Sequence, residues 1–219
     1  VTRQSLDFGD QLIADHTVLW DRMQSHRFVM DIMAGRLPAA VFARYLVYEA
    51  GFVATAVRIF ALAVAKAPTL REQTWLVGVL KALTEEQMEY FRAAFDHLGI
   101  DPERYDPDDP RVTDFDRGML EIAETGGFAD IITAMFAAEW MYLHWCRRAV
   151  RAEIADPVLK QWIDLHAAES FGDQARWLKA EVGRHGATAC ESERERLSRL
   201  FGNVLKLEIA FHDAAYGDG

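Results

Sequence analysis

Cysteine and proline are scarce in this chain. Two cysteines, Cys146 and Cys190, and six prolines stand among 219 residues. One disulfide is arithmetically possible, but two cysteines make no disulfide framework. With no Cys-x-x-Cys pair and no Cys/His cluster, nothing indicates zinc. Positive charge is the minority sign: 24 Lys and Arg face 34 Asp and Glu, a formal net charge of −10. Such a surface repels phosphate backbones and anionic membranes, so neither nucleic acid nor a membrane is an expected partner. The opening VTRQSLDFGD lacks the apolar core of a signal peptide. The most apolar segment, residues 128–145, carries Asp130, Glu139 and His144, and a membrane span would rarely hold two carboxylates. A cytoplasmic protein is the expectation. Alternating polar–apolar runs bounded by turn dipeptides are also missing, which excludes strands.

Helical periodicity is what remains. Phe8, Leu12, Leu19, Trp20 and Met23 form one stripe of a first helix. Gly35 and Pro38 close that segment and Pro68 closes the next. Thr69 to Glu72 reads as a capping box opening a third, which Gly99 ends. Gly78 inside it marks a close helix crossing or a kink. The Asp- and Pro-rich DPERYDPDDP is a loop. Residues 111–125, 128–154, 156–182 and 189–216 then read as four further helices. No repeat, low-complexity tract or long linker divides the chain. With 51% hydrophobic residues, it predicts one all-α domain over 1–219, a bundle of about seven helices.

Three carboxylates stand in unexpected places. Glu49 is the only charge in YLVYEAGFVATAV, residues 45–57, and Glu139 the only formal charge in IITAMFAAEWMYL, residues 131–143. Both stretches are apolar nearly all round, so either face is expected to be buried. Desolvating a carboxylate costs about several kcal/mol, so a buried Glu finds a partner or raises its pKa. A partner could be structural: Arg44, Arg58 or a Tyr. Two such acids in separate apolar helices favour a site instead. Glu208 shares a helix face with Phe211 and His212, at i+3 and i+4. Tyr45 and Phe52 flank Glu49, and Tyr142 follows Glu139; such aromatics belong to a core or wall a flat heterocycle.

Four stretches together resemble the TenA (thiaminase II) family. These are HRFVMDIMAGRLPAAVFARYLVYEAGFV at 26–53, EWMYLHW at 139–145, WIDLHAAESF at 162–171 and LEIAFHDAAY at 207–216. The resemblance implies the haem-oxygenase-like helical fold, assembly as a homo-oligomer (tetramer or dimer), and no metal or organic cofactor. It also implies hydrolysis of aminopyrimidines derived from thiamine. Position by position, the pyrimidine-binding acid falls at Glu49, the C-terminal catalytic acid at Glu208, and the aromatic neighbours at Phe52 and Phe211. Active-site tyrosines fall at Tyr142 and at His166.

The departures are as informative. The family's main branch has a nucleophilic Cys where this chain has Ala138, and a Tyr where it has Val112. In this the chain resembles a Cys-less branch in which a Glu substitutes, and Glu139 is the adjacent candidate. Cys146 lies two turns further along and reads as a buried structural thiol. A haem-dependent relative would use His16 or His26. A di-iron oxidase would need a His on the third helix, and residues 84–96 contain none. The expected activity is a cofactor-free hydrolase acting on an aminopyrimidine or its N-formyl derivative, with Glu139 and Glu208 catalytic and Glu49, Phe52, Tyr142, His166 and Phe211 binding the ring. A pyrimidine-binding homologue without turnover stands as the alternative, and an oxidase of the same superfold as a third.

Overall fold

The computed structural model describes residues 6–106 and 108–217. Among them there are eleven α-helices and no strand. Helices α1 (Phe8–Asp15), α2 (Thr17–Gln24) and α3 (Arg27–Met33) form the N-terminal run. They are followed by α4 (Ala39–Lys66), α5 (Leu70–Ala82), α6 (Met88–Leu98) and α7 (Pro110–Thr125). The chain closes with α8 (Phe128–Ala149), α9 (Pro157–Ala167), α10 (Glu169–Thr188) and α11 (Glu191–Ala214).

The polar punctuation of the sequence caps these helices. Asp7, Asp109 and Asp156 each accept a backbone N–H of the following first turn. Pro110 and Pro157 occupy first helical positions, where a missing N–H costs nothing. Thr69 caps α5 through the Arg71 N–H, and its hydroxyl bonds the Glu72 carboxylate, so the expected box closes side chain to side chain. Gly99 ends α6 with a left-handed φ of 64°.

Helix α8 is the axis of the fold. It packs against α2, α3, α4, α7, α9, α10 and α11, and from Asp130 to Glu139 it is buried on every side, as an all-round apolar segment must be. Helix α4 lies beside it and also contacts α5, α6 and α7. By length and composition α4 could cross a membrane. Its buried stripe from Val41 through Glu49 to Ala63 instead packs into the bundle. Cys146 is buried and Cys190 exposed, both as free thiols.

There are more helices than the seven anticipated because breaks fall where no strong breaker stands. The N-terminal run bends at His16 and His26. The segment from Leu70 to Leu98 is interrupted by a π-helical turn at Leu83–Gln87. The helix expected over 156–182 divides at Ala168, where ψ swings to 156°. Gly78 marks no close crossing: a Cβ built there would meet nothing within 4 Å. The close crossing lies at Gly202 of α11, where a Cβ would come within 2.4 Å of the His16 ring. Gly202→Ala should therefore overpack the α1–α2 junction and cost about 1–3 kcal/mol. Thermal unfolding checks this, and an unchanged Tm would show that the junction yields.

Candidate functional site

The carboxylates singled out above come from three helices and meet at one interior cavity of about 280 Å³. On α4 the lining stripe runs Glu49, Phe52, Val53, Ala56 and Phe60, at helical spacing. On α8 it runs Met135, Ala138, Glu139 and Tyr142. Glu208 enters from α11 and His166 from α9. Phe211 does not reach the cavity. It is fully buried one layer back, with its ring 4.8 Å from that of Phe115, which does line it.

Glu49 is held by phenols. The Tyr142 hydroxyl donates to Glu49 Oε1 at 2.5 Å, and the Tyr45 hydroxyl donates to the Tyr142 oxygen at 2.9 Å. Arg44 and Arg58 are engaged elsewhere, with the Ala215 carbonyl and with Glu124, so neither neutralises this acid. Burial raises the Glu49 pKa to about 7, with the tyrosine bonds opposing the shift. Burial first, then the negative neighbour Glu49, holds both phenols well above their usual range, so they stay donors.

Glu208 is still less compensated. Its Oε2 is buried without a hydrogen-bond partner. His212 Nδ1 lies 3.8 Å from that oxygen but donates to the Glu208 carbonyl at 2.8 Å. Burial drives the His212 pKa down to about 3, so a neutral imidazole stands beside a carboxyl that burial and then Glu49 push well above the normal range.

Glu139 occupies a third environment. Its Oε1 accepts from Gln174 Nε2 of α10 at 2.8 Å, while Oε2 is buried without a partner. Burial raises its pKa to about 8, and neither Glu49 nor Glu208 contributes to the shift. Glu208 thus feels burial and the charge of Glu49, whereas burial raises Glu139 against the Gln174 bond. His166 donates Nδ1–H to the Trp162 carbonyl at 2.9 Å and packs 3.9 Å from the Trp162 ring. That bond leaves Nε2 as an acceptor, and burial lowers the His166 pKa to about 4.

Gln174, Ser170 and Phe115 also line the cavity, and sequence reasoning did not find them. Gln174 lies among charged residues on a polar helix, where one more amide gives no signal. Among the described residues no three His, Cys, Asp or Glu side chains are grouped to hold a metal ion. The arrangement can grip a flat ring between aromatic walls. It offers that ring three carboxyl groups whose proton affinities differ, the condition for dividing acid and base roles.

Comparison with known proteins bears on this site. A profile of the TENA/THI-4/PQQC family matches residues 13–218. An aminopyrimidine aminohydrolase of Halalkalibacterium halodurans is 25% identical over 217 residues, covering 97% of each chain. The Bacillus subtilis protein of the same name is 21% identical over 202 residues, 91% of this chain and 84% of its own. Among solved structures, a TenA homologue from Pyrococcus furiosus superposes with a TM-score of 0.87 at 25% identity, covering 95% of this chain and all of its own. The TenA homologue from P. horikoshii OT3 gives 0.86 at 20% identity, over 98% and 100% of the two chains. These relatives share the all-α, haem-oxygenase-like architecture described above. The match runs from the first helix to the C-terminal turn, and the chain belongs to the TENA/THI-4/PQQC family.

Proposed function

We propose that this chain hydrolyses thiamine-related aminopyrimidines, an aminomethyl- or N-formylaminomethyl-pyrimidine among them, by carboxylate chemistry without a cofactor. The observation that carries this reading is the pair of partnerless buried oxygens, Glu139 Oε2 and Glu208 Oε2, in a ring-sized aromatic cavity. Buried polar atoms are rarely left unpaired unless a ligand or reactant satisfies them. The two relatives named aminopyrimidine aminohydrolase supply the substrate class. Salvage of damaged thiamine in the cytoplasm, by a homotetramer or homodimer, is the setting this reading carries with it.

In the proposed reaction, Phe52 and His166 wall the ring. Glu49, aligned by Tyr142, accepts from the exocyclic amine and from a protonated ring nitrogen. Glu208, held protonated by burial, gives its proton to the departing nitrogen. Glu139 takes a proton from the water that attacks the methylene carbon, or attacks that carbon itself and is hydrolysed afterwards. Along the water route the carbon–nitrogen bond breaks, the hydroxyl stays on carbon, and ammonia leaves from the aminomethyl substrate or formamide from its N-formyl derivative. Phe211 supports this site from behind Phe115 rather than touching the ring.

Three outcomes test the scheme. Glu139→Gln and Glu208→Gln should fold, bind the pyrimidine and lose about 10²–10⁴-fold in kcat, whereas Glu49→Gln should weaken binding as well. Steady-state kinetics and calorimetry on the same preparations separate these effects; wild-type turnover in Glu139→Gln would remove Glu139 from the mechanism. The base must be ionised, so kcat/KM should climb with pH through the range about 7 to 8 set by Glu49 and Glu139. Stability should move the opposite way. A carboxyl whose folded pKa exceeds its unfolded 4.5 stabilises fully below 4.5, and that contribution is lost as pH rises toward about 8. Glu139→Gln should thus match the wild-type Tm near pH 5 and exceed it near pH 8.5. A difference independent of pH would contradict the assigned ionisation.

A further inference from the structure

His212 is a buried titratable side chain to which the reaction scheme gives no task. It is fully enclosed on α11, one turn after Glu208. Its Nδ1–H donates to the Glu208 carbonyl at 2.8 Å, which leaves Nε2 as an acceptor. Among the described residues Nε2 has no hydrogen-bond partner, so a second proton there would meet no acceptor. Burial already drives the His212 pKa down to about 3. The imidazole is therefore a neutral group with one donor.

That donor is spare where it now points. Glu208 and His212 both lie within α11, so the Glu208 carbonyl is also the helical acceptor of the His212 backbone N–H, four residues on. The side-chain bond is a second one, on a carbonyl that keeps its helical bond without it. The same Nδ1 stands 3.8 Å from Glu208 Oε2, a buried oxygen with no partner of its own among the described residues. A charge-assisted hydrogen bond spans about 2.7–2.9 Å, so an approach of about 1 Å would make one.

The surroundings decide which of the two moves. The His212 ring packs against those of Phe28, Tyr45 and Tyr142, at centroid distances of 5.3, 5.5 and 5.6 Å. Glu208 instead borders the open cavity. The imidazole is clamped, and the carboxyl has room to turn. Charge supplies the motive. As the acid of the scheme, Glu208 is neutral before the carbon–nitrogen bond breaks and anionic after it. A bare buried carboxylate is costly, and Glu49 adds to that cost. Lys or Arg in place of His212 would ionise Glu208 beforehand and discard the proton the reaction needs. A neutral N–H leaves the acid protonated and still meets the anion when it forms.

We propose that His212 is a positioning residue for the acid step: as Glu208 gives up its proton, its carboxylate turns to accept the His212 Nδ1–H. The Glu208 proton goes to the departing nitrogen. His212 keeps its own proton throughout and changes only its acceptor, from the Glu208 carbonyl to the Glu208 carboxylate. The proposal rests on the reading of Glu208 as the acid, and it adds to that reading a residue standing behind the cavity wall.

Steady-state kinetics on the aminomethylpyrimidine, with ammonia as the readout, test it in His212→Phe, His212→Leu and His212→Asn, each also combined with Glu208→Gln. Phe and Leu remove the donor at two sizes, since the larger ring can overpack the site; Asn keeps an N–H near the Nδ1 position. His212→Phe and His212→Leu should lose about 10- to 100-fold in kcat, the scale of a hydrogen bond to a charged group, with KM within about twofold. His212→Asn should recover most of that loss. In the Glu208→Gln background, where no anion forms, removing the donor should cost under about twofold. An equal loss in both backgrounds overturns the proposal, because His212 would then act on the fold and not through Glu208. Unchanged kcat in His212→Leu overturns it too, as does a loss carried by KM or a His212→Asn no better than His212→Leu. Wild-type kcat in Glu208→Gln alone would instead refute the acid role on which it rests.

Discussion

Removing carboxylates from water is the constraint around which this protein is organised. Glu49, Glu139 and Glu208 are each at least nine-tenths buried, and none is paired with Lys or Arg among the described residues. Two tyrosines, one glutamine and one neutral histidine are their polar company. An interior this apolar cannot hold three negative charges cheaply. The acids keep their protons to pH values at which surface carboxylates are long ionised. That expense is tolerated because the same helices bury a continuous core, from Leu12 and Phe28 through Trp145 to Phe201. Stability surrendered at a site in this way is a common signature of function.

Interruptions in the helices turn that buried chemistry into an accessible cavity. Continuous helices would seal the space between α4, α8 and α11. Instead, the π-helical turn at Leu83–Gln87 brings Leu83, Glu86 and Gln87 to the cavity wall, and such turns recur at functional sites. The break at Ala168 lets His166 face the cavity from α9 while Ser170, Phe171 and Gln174 face it from α10.

How much of this the sequence revealed follows from the physics of each signal. Glu49 and Glu139 were legible because a lone charge in an apolar helix conflicts with its surroundings, and the structure places both at the cavity. Tyr142 and His166 became legible through family resemblance, and both line it as well. Phe211 was misplaced by one layer: sharing a helix face with Glu208 does not settle which of the two meets the opening. Gln174 was invisible, since an amide on a charged helix conflicts with nothing until a buried carboxylate is found opposite it. The break at Ala168 carries neither proline nor glycine, so no local signal in the sequence marks it. Gly78 was noticed, but a glycine in a helix announces missing volume without saying whether a neighbour fills it, and here none does.

The central claim is that burial, and not a counter-charge, governs these acids. Its most direct measurement is the titration of the Glu139 side-chain carboxyl, followed by carbon-13 NMR in protein labelled at glutamate and assigned through Glu139→Gln. The account predicts a midpoint near 8 in the ligand-free protein. A midpoint near 4.5 would mean that water or an unrecognised cation solvates the group, and the account of the site would be wrong.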